Sequence, residues 1–302
     1  MPNTLYNLYR FKHSYSLAIC LWCLSLGMTH PAQAEYKKPP TPTGNDAPDA
    51  QTTSIAATRG VCNPAADRSE QKANSATLTA LAPYSHVGQS SSTHPTFTWY
   101  LPDQESYPME FWLYEFDPTS YDGKGKQVYQ AKLSSSAGIM THALSKEQAS
   151  LSPGKTYVWQ VAVICNPNSP SQSLVVNNRV KIVPVDPTIT TQLNNSSDGD
   201  YPKGLAYPKV YPLGSRRAPR TLTDRLKRSD IYAQAGLWYD ALAEVATMPN
   251  DPQAQNLTLK LISQLAATEQ AKNSPSAENT KEIKLIETHQ QNLQRIIETL
   301  QP

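Results

Sequence analysis

Leu151-Ser152-Pro153-Gly154-Lys155-Thr156-Tyr157-Val158-Trp159-Gln160-Val161-Ala162-Val163-Ile164-Cys165 is the stretch whose reading decides the fold. After the Pro153-Gly154 turn, Tyr157, Trp159, Val161 and Val163 recur at a strict period of two. That spacing puts four large apolar side chains on one face of a half-buried strand, with Trp159 in the core. Outward from it, short runs bounded by turn residues predict further strands at 77–81, 95–100, 110–116, 127–133, 138–144 and 174–183. Glu110–Phe116 is apolar on both faces and is expected in a central position. Asp122-Gly123-Lys124-Gly125 lies between two strands and reads as a hairpin turn. Strands with aromatic alternation and no helical period between them predict a mainly β sandwich over residues 58–185.

A small α-helical C-terminal unit is expected after it. Helical spacing begins at Thr221, where Leu222, Leu226, Ile231 and Tyr232 form a stripe that Gly236 ends. Trp238, Leu242 and Val245 continue on a second helix, and Leu257, Leu261, Ile262 and Leu265 on a third, giving a helical unit at 221–269. Residues 270–302 read as a polar hinge and an amphipathic helix whose apolar stripe is Ile283, Ile286, Leu293, Ile297 and Leu300. That stripe is expected to fold back on the Trp238 helices rather than reach a partner chain.

The ends of the chain set the compartment. Residues 1–34 read as a signal peptide: Arg10 and Lys12, an apolar run from Leu17 to Met28, then Ala32-Gln33-Ala34 as a cleavage site. No transmembrane segment is expected after cleavage, and the destination is the periplasm or the outside of the cell. Cleavage lowers the 27 basic residues to 25, equal to the 25 acidic ones, so basicity is no argument for a nucleic-acid partner. Of the four cysteines only Cys62 and Cys165 remain. In an oxidising compartment a disulfide between them is expected, worth ~4.7 kcal/mol for a loop of about 100 residues in the chain-entropy account. Two free thiols are the alternative. Residues 35–57 are rich in Pro, Thr, Ala and Asp and read as a disordered linker.

Residues 186–220 read as a basic extended linker. Lys203 to Arg228 carries one uneven charge run, in which Arg216, Arg217, Arg220, Arg225, Lys227 and Arg228 are candidate contacts to an anionic partner, an envelope protein or a glycan. The alternative is a solvated linker.

Catalytic signatures are scarce. G-x-S-x-G, H-E-x-x-H, a P-loop and, after cleavage, C-x-x-C do not occur. His86, His94, His142 and His289 are scattered and read as surface or loop residues. Asn194, Ser196, Asp198 and Gly199 mimic a calcium loop, but Leu205 stands where a bidentate Glu is required, so no metal and no cofactor are expected. Asp103 with Glu105, or Glu110 with Glu115, would serve a hydrolase only across a cleft.

Several pieces carry a resemblance. The pattern Pro153-Gly154 then Tyr157-x-Trp159-x-Val161 resembles the corner and penultimate strand of immunoglobulin-like and fibronectin type III-like sandwiches, where a tyrosine hydroxyl returns to the backbone upstream. Arg59-Gly60-Val61-Cys62, Leu81-Ala82-Pro83, His94–Pro102, Gly154-Lys155-x-Tyr157-x-Trp159, Val163–Pro167 and Tyr232-Ala233-x-x-Gly236-Leu237-Trp238-Tyr239-Asp240-Ala241-Leu242 occur in one order. Together they resemble an exported, mainly cyanobacterial family catalogued as domain of unknown function 928, over roughly residues 58–268. Asn166 departs from the acidic residue that such proteins tend to carry after the second cysteine. Gly236-x-Trp238-Tyr239-Asp240-Ala241-Leu242 also resembles a tetratricopeptide helix pair, which implies either a docking surface or packing on the sandwich. The family implies no activity. The resulting expectation is a non-enzymatic interaction or envelope-associated module. Carbohydrate binding through sandwich aromatics is the alternative, and a carboxylate hydrolase a more distant one.

Overall fold

Strand β7 (Thr156–Val163) is the middle strand of a five-stranded sheet ordered β2-β8-β7-β4-β5, as seen in a computed structural model that describes residues 35–40, 62, 76–120, 124–148, 150–196, 221–269 and 277–301. Its neighbours are β4 (Pro108–Glu115), β5 (Gln127–Ser134), β8 (Leu174–Ile182) and the short β2 (Gly88–Ser90). A second sheet of three strands, β1-β3-β6, is made by β1 (Thr79–Ala80), β3 (Thr96–Leu101) and β6 (Gly138–Ala143). Pairings are antiparallel except β2 with β8, which is parallel. The two sheets meet through Phe97 and Trp99 of β3 against Phe111 of β4 and Trp159 of β7. Phe97 lies 5.0 Å from Phe111 and 5.5 Å from Trp159 between ring centroids, and all four side chains have zero exposure. Alternation of apolar and polar residues thus produced the expected strands in the expected places. The Tyr157 hydroxyl accepts from the Ser152 N–H at 2.9 Å, closing the corner before β7.

Among the described residues five α-helices follow: α1 (Pro187–Ser196), α2 (Leu222–Gln234), α3 (Trp238–Ala246), α4 (Pro252–Thr268) and α5 (Ala277–Leu300). Their ends obey local chemistry. Thr221 and Asp224 form a reciprocal capping box at the start of α2, and Gly236, at φ 76°, makes the left-handed turn into α3. Asp251 accepts from the Gln253 and Ala254 N–H groups, with Pro252 opening α4. α3 lies on β2 and β3, and α5 folds back along α4 and touches β1. Trp238, Leu242, Leu265 and Leu293 share one apolar core with the sheet residues.

Several expectations are corrected. β4 is next to the edge, and the central strand is β7, whose Val158 and Ala162 are buried on the face opposite Trp159. Residues 187–196, placed in the extended linker, form α1, so Asn194 and Ser196 sit on a helix rather than in a cation loop. Residues 35–40, the start of the expected disordered linker, are anchored. Tyr36 is buried, and Lys37 donates its N–H to the Ala233 carbonyl at 3.0 Å. The buried seam of α5 runs through Ile286, His289, Leu293 and Ile296, so Ile283, Ile297 and Leu300 lie at its margin, half-buried. The signal segment 1–34, residues 41–57 and residues 197–220 lie outside the described residues.

The Tyr239 hydroxyl joins the helices to the sheet. It accepts from Trp159 Nε1 and donates to the Arg179 carbonyl, both at 2.8 Å, in full burial. Gly88 makes room for it, since a Cβ there would fall 2.8 Å from the Tyr239 ring. Tyr239→Phe keeps the ring and strands both partners, so denaturant unfolding should show a loss of about 1–3 kcal/mol.

Candidate functional site: a polar seam between sheet and helices

The connection from β1 to β2 runs through the interior, and side chains from distant helices and from β8 bind its backbone. Trp238 Nε1 donates to the Leu81 carbonyl at 2.8 Å, and His289 Nε2 lies 3.1 Å from the Ala82 carbonyl. Asn178 Nδ2 donates to the Ala82 and Pro83 carbonyls. The Glu269 carboxylate, just past α4, accepts from the N–H of Tyr84 at 2.7 Å and of Ser85 at 2.9 Å. Asp240 of α3 does the same one strand later, accepting from the Ser91 N–H at 2.6 Å and from the hydroxyls of Ser90 and Ser91. A buried backbone needs such partners wherever no strand supplies them.

At the centre of the seam, both nitrogens of the His86 ring are engaged. Nδ1 lies 3.0 Å from Ser85 Oγ and Nε2 lies 2.8 Å from Tyr36 Oη. Burial first, and then Lys38 nearby, push His86 down to about 3, so its ring is neutral at ordinary pH. Burial also pushes Glu269 up to about 7 and Asp240 up to about 6, each against the hydrogen bonds that favour its ionised form. His289, fully enclosed against the Tyr84 ring at 4.0 Å, is pushed down to about 3 by burial. The expectation of surface or loop histidines is therefore corrected for His289, which is on α5 and 1% exposed, while His86 lies on a connection as expected but is buried at 5% exposure.

A serine beside a histidine invites a nucleophilic reading, yet the geometry serves fixation. Ser85 Oγ also reaches the Thr268 carbonyl at 3.4 Å, and Tyr36 covers the far side of the ring. A surface pocket of about 160 Å³, lined by Glu115, Tyr129, Leu144, Leu151 and Tyr157, involves none of these residues. Among the described residues no group of three His, Cys, Asp or Glu side chains is placed to hold a metal ion.

The residues singled out from the sequence go to different places. Cys62 and Cys165 form a disulfide with Cα atoms 5.0 Å apart. The Cys62 N–H donates to Asp103 at 3.1 Å, which holds that end against the sheet. Arg225 and Arg228 are not open to an anionic partner. Arg228 Nε donates to Glu244 at 2.8 Å, and Arg225 donates to the Glu244 carbonyl at 2.9 Å and to Thr247 Oγ1 at 2.6 Å. Three residues apart on α2, the two guanidiniums share the face that meets α3. Lys227 is exposed, and Arg216, Arg217 and Arg220 lie outside the described residues. Glu110 and Glu115 are not brought together across a cleft, and Asp103 and Glu105 both lie near the Tyr107 hydroxyl. Glu115 pairs with Lys155, Glu105 accepts from the Tyr107 hydroxyl, and Glu110 falls on the face of β4 opposite Glu115.

What the sequence could have offered was an acid set among large apolar residues: Asp240 within Trp-Tyr-Asp-Ala-Leu marks a carboxylate that must find donors in the core.

These shifts fix a pH response. A carboxyl raised in the folded state contributes stability that is lost as pH rises, here from about 4.5 through 7 for Glu269. A histidine lowered in the folded state contributes stability that is lost as pH falls, from about 6.5 towards 3. Unfolding free energy should therefore be greatest in the mildly acidic range. Glu269→Gln, which forfeits one backbone acceptor, should be less stable than wild type at pH 5, and the gap should narrow by pH 8. Chemical denaturation across that range checks both.

No curated protein and no solved structure matches the chain. The sequence profile described as Domain of Unknown Function (DUF928) matches residues 55–208, which include the disulfide, every described strand and α1. The chain belongs to the DUF928 family.

Proposed function

We propose that this is an exported, non-enzymatic interaction module of the cell envelope, built on an immunoglobulin-like or fibronectin III-like sandwich. The observation that carries the reading is the Cys62–Cys165 disulfide, which closes 103 residues around the two sheets and suits an oxidising compartment. The corner closed by Tyr157 and Ser152 supports the immunoglobulin-like assignment. The engagement of Ser85, His86, Asp240 and Glu269 within the core supports binding over catalysis, because a reacting group needs access to substrate. Among the described residues no helix is long and apolar enough to cross a membrane. The signal peptide ending at Ala34 and the cyanobacterial setting implied by the family resemblance belong to the same reading. Native protein recovered from the periplasm or medium should begin at Glu35 by mass spectrometry and carry the disulfide, and crosslinked envelope material should co-purify with it. A cytosolic chain retaining Met1 with both thiols reduced would overturn the assignment.

A second reading, glycan binding, is favoured by one feature. Trp112 and Tyr114 stand two residues apart on the outer face of β4, half-buried, and Gln130 and Gln160 lie opposite Trp112 on the flanking strands. Lys124 sits 5.7 Å from the Tyr114 ring and donates to Gln160 at 2.7 Å. Among the described residues no Trp, Tyr or Phe is fully exposed, which places this reading second. A Trp112→Ala, Tyr114→Ala double variant should keep its capture of the envelope partner under the first reading. If it instead loses retention on immobilised envelope glycans at unchanged melting temperature, the second reading replaces the first.

A further inference from the structure

Strand β5 ends the larger sheet on one side and pairs only with β4, so among the described residues no strand lies along its other edge. Tyr129, Ala131 and Leu133 face inward and are half-buried against the core, while Gln130, Lys132 and Ser134 are exposed. An open edge of this kind is a template for a further extended segment, because its outward N–H and carbonyl groups repeat at strand spacing. The strand is irregular at one point. Leu113 pairs with Tyr129 and Tyr114 with Gln127, which leaves Val128 as a bulged residue without a partner on β4. Val128 lines the pocket of about 160 Å³ described above, together with Tyr129, Leu144, Leu151 and Tyr157. It is 40% exposed, and among the described residues only Val185 is a comparably open large apolar side chain. The pocket has room for one large side chain and lies against the start of β5, where a paired segment would pass.

Charge selects the occupant. The strand and its approach, residues 124–134, carry Lys124, Lys126 and Lys132 and no acid. Lys126 and Lys132 are exposed. Glu110 stands across from Lys132 on β4, and Glu115 at the pocket is engaged by Lys155, so positive charge is in excess along the edge. A second copy adding its own β5 would bring lysines against lysines, the pairing that edge lysines discourage. An acidic segment gains from the same charges.

We propose that β5 is a strand-addition site for an acidic extended segment of a partner protein. The segment's backbone pairs with the open edge, its carboxylates meet Lys126 and Lys132, and one large apolar side chain enters the pocket beside Val128. This gives the interaction reading above a surface and a partner chemistry, and it rests on that reading.

The probe is a displayed library of random twelve-residue peptides, selected against the full chain with its disulfide intact. Enriched sequences should alternate acidic and apolar residues, with one position confined to a large apolar side chain. A synthetic peptide of the winning sequence is then titrated by fluorescence polarisation. Methylating the amide nitrogens of one alternate set of its residues should abolish binding, and methylating the other set should leave it nearly unchanged, because only one edge of the peptide pairs. Lys126→Glu combined with Lys132→Glu should weaken binding about tenfold, and less in high salt. Val128→Asp should also weaken it, and both variants should melt with wild type because the substituted side chains are exposed. If no sequence is enriched, or if the winning peptide binds both variants like wild type or tolerates both methylated sets, the proposal fails. Should the chain still crosslink to envelope material in that case, the interaction reading stands and its surface lies elsewhere. A wild-type dimer by light scattering that Val128→Asp dissolves would make a second copy the occupant and overturn the acidic partner.

Discussion

A three-stranded sheet cannot cover a five-stranded one, and the remainder of this structure follows from that shortfall. β2 lies at the edge of the larger sheet, where α3 covers it, with Tyr239 against Gly88 and Trp238 under Leu81. A helix can bury a sheet face, but away from its ends its backbone is already hydrogen-bonded and has little to give a neighbouring chain. The connection crossing beneath it must therefore be satisfied by side chains. Trp238, His289, Asn178, Glu269 and Asp240 do this, atom by atom, between Leu81 and Ser91.

The choice of carboxylates for two of these roles has an electrostatic cost and a structural return. A carboxyl group offers two oxygens to N–H donors in a short arc, where an amide offers one. Burial raises both acids towards neutrality while the hydrogen bonds and, at Glu269, Lys38 lower them. Two buried histidines displaced in the opposite direction balance the proton inventory of the seam, so its stability is concentrated in the pH range where acids and imidazoles are both neutral.

What the sequence disclosed follows the same division. Strands whose partners lie a turn away, such as β4 with β5 and β7 with β8, announce themselves by alternation, because each buries one face against whatever the opposite sheet supplies. Gly88-Gln89-Ser90 has no such pattern. It is a strand only because β8 pairs with it and α3 lies on it, and neither fact is local. The seam was illegible for the same reason. His86 looks like a loop residue until Tyr36 and Ser85 are placed around it, and Arg225 and Arg228 look like a basic patch until Glu244 arrives from the next helix. The disulfide was legible because, apart from the two cysteines of the expected signal segment, the sequence offers one possible pair, whereas the buried acids had many conceivable donors.

The reach of the seam bears on the order in which the chain can fold. Gln264 meets Tyr36 across 228 positions, His289 meets Ala82 across 207, and Glu269 meets Tyr84 across 185. Such separations make closure slow, because a large loop must be ordered before any contact compensates for it. A chain emerging from its N-terminus can pair β3 to β8 early, but the face destined for α3 stays wet until the last hundred residues appear. During that interval the β1–β2 connection holds unpaired N–H and carbonyl groups beside exposed aromatics, the kind of surface that recruits stray strands. The native state is thus assembled last at its own middle, and its vulnerability to aggregation falls on the moments before α3, α4 and α5 arrive.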